Sequence, residues 1–148
     1  MTIDPYKMLL IDDDPNDIEL VQLAIQDFTF IQTLDVLTDG AQALEYLIGD
    51  QNRLPVSPLP QFVLMDLKLP KLTGIEVLQA IRQDRRTRTL PVVIMTSSSE
   101  DCDLRDCYDL GVNSYVVKPL DFHQFQEFVK LVGSYWMTIN SPFSVLTS

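Results

Sequence analysis

Charged and hydroxyl side chains follow or end apolar runs at four places in this chain of 148 residues. Asp12 and Asp13 follow the first run, and Asp66, Thr96 and Lys118 stand at the ends of three later ones. Carboxylates held close together repel one another, and a bound cation relieves the repulsion. Oxygen ligands suit Mg²⁺, and a carboxylate beside Mg²⁺, a lysine and a hydroxyl has the parts needed to accept a phosphoryl group. The sequence therefore predicts that Asp66 is a phosphoryl acceptor, with Thr96 as hydroxyl donor and Lys118 as counter-charge.

Short apolar runs alternate with longer amphipathic ones, which is typical of βα units around a parallel sheet. In such a sheet ligands collect at the carboxyl ends of the strands, so we expect the four places to meet at one edge. The predicted strands lie at about Tyr6 to Ile11, Ile31 to Leu37, Phe62 to Met65, Val92 to Thr96 and Ser114 to Val117. The predicted helices begin at Pro15, near Ala41, at Thr73, near Glu100 and at Asp121, and the last ends near Trp136.

The start of the first helix carries three residues with helix-terminal roles. Asp14 is the predicted N-cap, Pro15 occupies the first helical position, and Asp17 places an acidic group in the first turn. These local roles account for the types of all three residues.

Two further segments have predicted structural roles. Residues 49–60 contain three prolines among polar groups and are predicted to form one long surface loop, not a helix or a central strand. The basic residues Arg82, Arg85, Arg86 and Arg88 straddle a helix end and are interpreted as solvated.

The composition excludes several classes of function. The chain has 11 Lys+Arg and 21 Asp+Glu, a net charge of −10, which argues against direct DNA binding because that requires a basic patch. There is no apolar run of about 18 residues for a membrane span, and the start lacks the basic flank and apolar core of a signal peptide. Cys102 and Cys107 lie too divergently on a predicted helix to form a strain-free disulfide. We therefore expect a cytoplasmic protein.

Four separated motifs, in this order, resemble the receiver domain of two-component response regulators. They are LIDDDP at residues 10–15, MDLKLP at 65–70 with Gly74, MTS at 95–97 and SYVVKP at 114–119. The resemblance implies an α/β fold of the (βα)5 flavodoxin-like type, a five-stranded parallel sheet in the order 2-1-3-4-5 with helices on both faces. The proline-rich loop and the aromatic ending at residues 133–136 look most like the small stand-alone regulators that partner cyanobacterial phytochrome kinases.

The resemblance implies roles for individual residues of the site. Asp66 would be phosphorylated by a sensor histidine kinase. Asp13, Asp66 and the backbone carbonyl of Lys68 would ligate Mg²⁺, and Asp12 would act through water. No separate substrate turnover is expected, so the protein would not be an enzyme in the ordinary sense.

The resemblance also implies a conformational switch. Thr96 would move toward the phosphoryl group and Tyr115 would swing inward behind it, which remodels the surface made by the fourth helix, the fifth strand and the fifth helix. It further implies a cis peptide bond between Lys118 and Pro119.

Lys68 departs from the smaller or neutral residue that is frequent at this position in the family. We hypothesise that Lys68, together with Ser98, sets the lifetime of the phosphoryl group by controlling the access of the attacking water. The carbonyl of Lys68 is the implied ligand, so its side chain need not disturb the metal.

The last predicted helix has two adjacent apolar faces, where one suffices for packing on a sheet. One face carries Phe122, Phe125, Val129, Val132 and Trp136, and the other carries Phe128, Leu131 and Tyr135. The predicted organisation is a receiver domain over residues 1–136 and an apolar tail over 137–148, with no output domain. The second face and the tail predict a homodimer. The candidate interface residues are Phe128, Leu131, Tyr135, Trp136 and Phe143.

Three other functions are alternatives at this point. A Mg²⁺-dependent phosphatase using an aspartyl-phosphate would want a second acid two residues after Asp66, where Lys68 stands. A flavodoxin-like cofactor binder needs a Gly- or Ser/Thr-rich loop after the first strand, where residues 12–14 would repel phosphate. A receiver used only as an interaction module is the third alternative.

Overall fold

Five parallel strands form one sheet, in the predicted order β2-β1-β3-β4-β5. The computed structural model describes residues 2–97 and 100–143. The strands are β1 (Ile3–Ile11), β2 (Thr33–Leu37), β3 (Leu59–Met65), β4 (Val92–Thr96) and β5 (Ser114–Val117). The helices are α1 (Pro15–Ile25), α2 (Gly40–Leu47), α3 (Gly74–Gln83), α4 (Asp101–Asp109) and α5 (Phe122–Ser134), followed by a π-helical turn at Tyr135–Ile139. No helix in these described ranges is long and apolar enough to cross a membrane.

The alternation of side chains along the buried strands builds two cores, one on each face of the sheet. In β1, Leu9 and Ile11 join the core that α2, α3 and α4 cover, whereas Met8 and Leu10 join the core that α1 and α5 cover. All four side chains are fully buried. The sheet therefore lies between two helical layers, which leaves its carboxyl edge as the place where loops and ligands meet.

Side-chain caps fix where several helices begin. Asp14 accepts a hydrogen bond from the amide of Asn16 at 2.9 Å, which confirms the predicted start of α1. Thr73 and Glu76 form a reciprocal capping box at the start of α3. Because these caps depend on neighbouring residues only, they could be recognised without the tertiary structure.

The prediction of a loop over residues 49–60 is wrong at its end, because Leu59 and Pro60 belong to β3. Proline is tolerated at this position because Pro60 pairs with Asp4 of β1 on one side and with no residue of β4 on the other. The pairing with β4 begins only where Val63 lies opposite Val92, so Pro60 occupies an edge position of the sheet.

The interpretation of the arginine cluster as solvated is wrong for two of its members. Arg82 donates from Nε and Nη2 to the carbonyl oxygen of Gly111, at 3.1 and 3.0 Å. Arg86 donates to the carbonyl oxygens of Leu47, at 3.1 Å, and of Val56. Each forked guanidinium satisfies carbonyl oxygens that are far from its own residue in the sequence, so the contacts depend on the tertiary structure. The other two arginines of the cluster are exposed.

The last helix extends farther than predicted. Beyond the α-helical part, the π-helical turn continues the chain to Ile139 and buries Met137 in the core under α1 and α5. Phe125 is buried as predicted, but Phe122 is 51% exposed because it is the first residue of α5, where it lines a surface depression at the sheet edge.

Candidate functional site

The carboxyl ends of three strands bring Asp12, Asp66 and Lys118 together at one edge of the sheet. These residues directly follow β1, β3 and β5. The parallel register places Ile11 opposite Met65, so the two aspartates that come next are neighbours. The amide of Asp66 donates to the carbonyl oxygen of Ile11 at 3.0 Å, which holds the two strand ends in this relation.

The ammonium group of Lys118 contacts three carboxylates. Its Nζ lies 2.7 Å from Oδ2 of Asp66 and 3.5 Å from Oδ2 of Asp12, and it also pairs with Asp17. The Lys118 side chain is 13% exposed, so these contacts take place largely out of water. Its amide donates to the carbonyl oxygen of Thr96 at 2.7 Å, which anchors the lysine backbone to the end of β4.

Asp17 is a member of this cluster that the sequence analysis did not predict. One carboxylate oxygen from each of Asp12, Asp17 and Asp66 lies within 4.8 Å of the other two. A signal was present in the sequence, since Asp17 shares a helix face with Val21 and Ala24, which are buried. An acidic residue is common in the first turn of a helix, so the charge of Asp17 did not by itself indicate that it belongs to the site.

Asp13 lies at the same edge but outside this close group of carboxylates. Its side chain is exposed and lines an open depression of about 680 Å³ together with Asp17, Asp66 and Lys118. Successive side chains of an extended segment point in opposite directions, so Asp12 turns inward and Asp13 turns toward the opening. Apolar side chains also line the depression, among them Leu20, Leu120 and Phe122.

Burial and neighbouring charges shift the pKa values of two groups of the site. Burial raises the pKa of Asp12 to about 7, against the opposing effects of a hydrogen bond from the Asp14 amide and the charge of Lys118. Burial by itself lowers the pKa of Lys118, but hydrogen bonds to Asp17 and Asp66 and the charge of Asp12 outweigh it. The pKa of Lys118 is therefore raised above its usual value, and the lysine stays charged.

The other predicted site residues lie around this cluster. Thr96 is fully buried at the end of β4. Tyr115 is partly buried in β5 and packs against the core that α2, α3 and α4 cover. Lys68 is exposed, and its amide donates to Oδ1 of Asp66 at 3.3 Å. Ser98 lies outside the described residues.

The prediction of a cis peptide bond at Lys118–Pro119 is wrong. In the described part of the chain the cis bond is between Ser57 and Pro58. Because the cis and trans forms of an X–Pro bond differ by only about 0.5–1 kcal/mol, the surrounding structure decides which one is present.

The carboxylates at this edge of the sheet fit a hard divalent cation. Asp13 and Asp66 line the depression with carboxylate oxygens, and Asp12 and Asp17 add negative charge that the single ammonium of Lys118 only partly balances. Mg²⁺ and similar ions take oxygen ligands of this kind and would neutralise that charge. The site can therefore concentrate a cation beside Asp66.

The predicted interface residues of α5 and the segment after it fall into two groups. Phe128 and Trp136 are partly buried against the core that α1 and α5 cover. Leu131, Tyr135 and Phe143 are 70%, 45% and 64% exposed. Residues 144–148 of the predicted tail lie outside the described residues.

Comparison with known proteins gives sequence relatives along almost the whole chain. The family described as "Response regulator receiver domain" matches residues 8–130. The probable methanogenesis regulatory protein FilR2 of Methanothrix harundinacea is 39% identical over 137 residues, which are 93% of this chain and 87% of FilR2. Response regulator Rcp1 of Synechocystis sp. is 34% identical over 139 residues, covering 93% of this chain and 94% of Rcp1.

Solved structures show the same likeness. The phosphorylated cyanobacterial phytochrome response regulator RcpA superposes with a TM-score of 0.88 at 32% identity, covering 94% of this chain and 99% of RcpA. The Mn²⁺-bound form of Rcp1 superposes with a TM-score of 0.86 at 33% identity, covering 95% of this chain and 100% of that structure.

Proposed function

The chain belongs to the response regulator receiver domain family, and we propose that Asp66 accepts a phosphoryl group from the phosphohistidine of a sensor kinase. The observation that carries the proposal is the contact of Lys118 with Asp66 and Asp12 beside an open depression. In the transfer an oxygen of Asp66 bonds to phosphorus as the bond from phosphorus to the imidazole nitrogen breaks. The lysine ammonium is placed to balance the charge that the phosphoryl oxygens bring.

We propose that Mg²⁺ is the cation that assists this transfer. Asp13, Asp66 and the backbone carbonyl of Lys68 would hold it, and Asp12 would act through water. When bound, the ion supplies positive charge that stabilises the phosphoryl oxygens. The carboxylates of Asp13 and Asp66 in the open depression support a hard cation here, as does the Mn²⁺-bound form of the relative Rcp1.

The same proposal assigns the switch to residues beside the acceptor. The hydroxyl of Thr96 would donate to a phosphoryl oxygen, and Tyr115 would move inward behind it. Because these residues belong to β4 and β5, their movement would change the surface made by α4, β5 and α5. The burial of Thr96 and the partial burial of Tyr115 support two packed arrangements rather than a gradual change.

We propose a phytochrome-type histidine kinase as the phosphodonor. The support is the likeness to RcpA, which is a cyanobacterial phytochrome response regulator, over 94% of this chain. Downstream, the net charge of −10 favours a protein target over DNA, because phosphate backbones repel an acidic surface.

We also propose that the chain forms a homodimer through α5 and the residues that follow it. Leu131, Ile139 and Phe143 are 70%, 69% and 64% exposed, and Tyr135 between them is 45% exposed. Apolar side chains exposed in one stretch of chain favour a protein interface over open solvent. Phe128 and Trp136, partly buried beneath this stretch, would support the interface from within the protomer.

One experiment tests the central proposal. The full chain is incubated with a small-molecule phosphodonor, with and without Mg²⁺, and label on the protein is measured beside an Asp66→Asn control. We expect label that depends on both Mg²⁺ and Asp66. Label that survives Asp66→Asn, or no label in the presence of Mg²⁺, would contradict the proposed function.

A further inference from the structure

Asp17 contacts the site through a residue that the proposed phosphotransfer needs. It pairs with Nζ of Lys118, and the two side chains are 14% and 13% exposed. It is also within 4.8 Å of the carboxylate oxygens of Asp12 and Asp66. Nevertheless the proposed function assigns Asp17 neither phosphorylation nor a metal-ligand role.

The other two partners of Lys118, Asp12 and Asp66, have roles of their own in the proposed phosphotransfer. Asp66 would bond to phosphorus, and Asp12 would be engaged through water by the cation. An ammonium that is mostly buried loses much of its hydration, so before phosphorylation it needs an anionic partner that the cation does not engage. Among the contacts that Lys118 makes in the described chain, Asp17 is the carboxylate without another proposed task.

We propose, on the premise of the proposed function, that Asp17 is the positioning residue for Lys118. Its carboxylate holds the ammonium between α1 and β5 while the cation and the phosphoryl group engage Asp12 and Asp66. Without Asp17, Lys118 has only Asp12 and Asp66 as partners and competes with the cation for them.

The fold keeps Asp17 in place for this role. Asp14 caps α1 through the amide of Asn16, and the following turn directs Asp17 to the same face as the buried Val21. Glu19 is two residues farther on, about 200° around the helix, and is exposed. It therefore provides a matched control that removes one negative charge from the same helix, away from the site.

The test measures the dissociation constant of Mg²⁺ by calorimetry on the full chain. We expect Asp17→Asn to weaken Mg²⁺ binding by at least about threefold, because a nearby negative charge is lost and the lysine competes for the remaining carboxylates. Asp17→Glu, which keeps the charge, should restore most of the affinity, and Glu19→Gln should leave it within about twofold of wild type.

A double-mutant cycle shows whether Asp17 acts through Lys118. In a Lys118→Met background the competing ammonium is gone, so Asp17→Asn should have a clearly smaller effect on the Mg²⁺ dissociation constant than in the wild type. An equal or larger effect there would show that Asp17 acts by its own charge, and would overturn the proposal.

Folding and phosphorylation measurements separate the remaining explanations. If Asp17 served only the helix start, Asp17→Asn would lower the melting temperature and leave Mg²⁺ affinity unchanged, which would overturn the positioning role. In that case Mg²⁺-dependent label on Asp66 of the wild type would leave the proposed function standing. A wild type that binds no Mg²⁺ and takes no label would overturn both.

Discussion

Lys118 has a structural role at the sheet edge and a proposed role in phosphoryl transfer. Its ammonium is paired with Asp12, Asp17 and Asp66 in surroundings that exclude most water. Removing one member of such a group leaves another charge without a partner. The resulting loss in the free energy of unfolding is larger than the contribution of an exposed ion pair. The arrangement of charges therefore constrains the chain at this edge of the sheet, where the proposed cation and phosphoryl group would bind.

Lys68 is expected to affect how long the phosphoryl group persists. Its side chain is exposed two residues after Asp66, and its amide donates to Oδ1 of that residue. We expect Lys68→Asn to change the autodephosphorylation rate by more than about twofold, because it replaces a long cation at the approach of the attacking water. The rate is followed as loss of label after the phosphodonor is removed, and a smaller change would contradict the hypothesis.

The two cysteines are expected to differ sharply in reactivity. Both are free thiols, with Cys102 exposed and Cys107 fully buried. Burial, assisted by the charges of Asp103 and Asp106, raises the pKa of Cys107 to about 11. At about pH 8, a thiol reagent should modify Cys102 quickly and Cys107 only after unfolding, because the thiolate is the reactive form.

Cys102→Ser supplies the control for this experiment. That variant should show no fast-reacting thiol in the native state and one thiol after denaturation. Fast reaction of the native Cys102→Ser protein would contradict the described burial of Cys107.

At the scale of elements, close backbone contacts position the loop that begins with Asp66, the proposed acceptor. A Cβ atom added to Gly74 would lie 2.5 Å from the carbonyl oxygen of Asp66 and 2.7 Å from Cα of Leu67. The amide of Gly74 also donates to the carbonyl oxygen of Leu67 at 2.7 Å. The start of α3 can therefore approach the end of β3 only because residue 74 has no side chain.

Gly74→Ala is expected to impair phosphorylation by displacing this loop. We expect the rate of labelling by a small phosphodonor to fall by about tenfold or more, since small displacements of reacting groups have large effects on rate. Gly133→Ala is the matched control, because its Cβ would lie 3.4 Å from Cε2 of Phe28, in near-ordinary contact. Normal labelling of a folded Gly74→Ala protein would count against the positioning role.

Arg86 links the end of α2 to the proline-rich loop, and both lie at least 30 residues before it in the sequence. It donates to the carbonyl oxygens of Leu47 and Val56. We expect Arg86→Ala to lower the free energy of unfolding by about 1–3 kcal/mol, because partly buried carbonyls lose their donors. Urea denaturation measures the change, and exposed Arg85 provides the control, with Arg85→Ala expected to stay within about 0.5 kcal/mol of wild type. Equal effects of the two variants would contradict the role of Arg86.

At the scale of the whole molecule, charged and apolar surfaces separate the proposed phosphoryl-acceptor site from the proposed dimer interface. The acidic cluster lies at the carboxyl edge of the sheet, beside a depression lined by charged and apolar side chains. The exposed apolar side chains after the middle of α5 belong to another part of the chain. A change in the packing of β4 and β5 next to the acceptor is the physical route by which the proposed signal would spread from the site.

The proposed dimer makes a prediction at this scale. Leu131→Lys should shift sedimentation of the protein toward the monomer, because a charge replaces a 70% exposed leucine at the proposed interface. Leu54→Lys is the control, since Leu54 is 88% exposed in the loop before β3 and lies outside that interface. A wild type that sediments as a monomer at every concentration would rule out the dimer.

Local patterns were sufficient to predict much of the fold. The order of strands and helices, the N-cap at Asp14 and the helix start at Thr73 follow from hydrophobic periodicity and from residues next to one another in sequence. The motifs around Asp66 and Lys118 indicated the family for the same reason, since each is a short run with fixed spacing.

The tertiary structure decided the features that depend on distant parts of the chain. It placed Asp17 rather than Asp13 in the close carboxylate group, because the turn after β1 sets which side chain faces inward. It gave Arg82 a carbonyl partner in the loop after α4 and Arg86 one at the end of α2. The spacing of residues in the sequence determines which helices and strands form. The packing of those helices and strands determines which charged side chains come into contact, and these contacts define the electrostatics of the site.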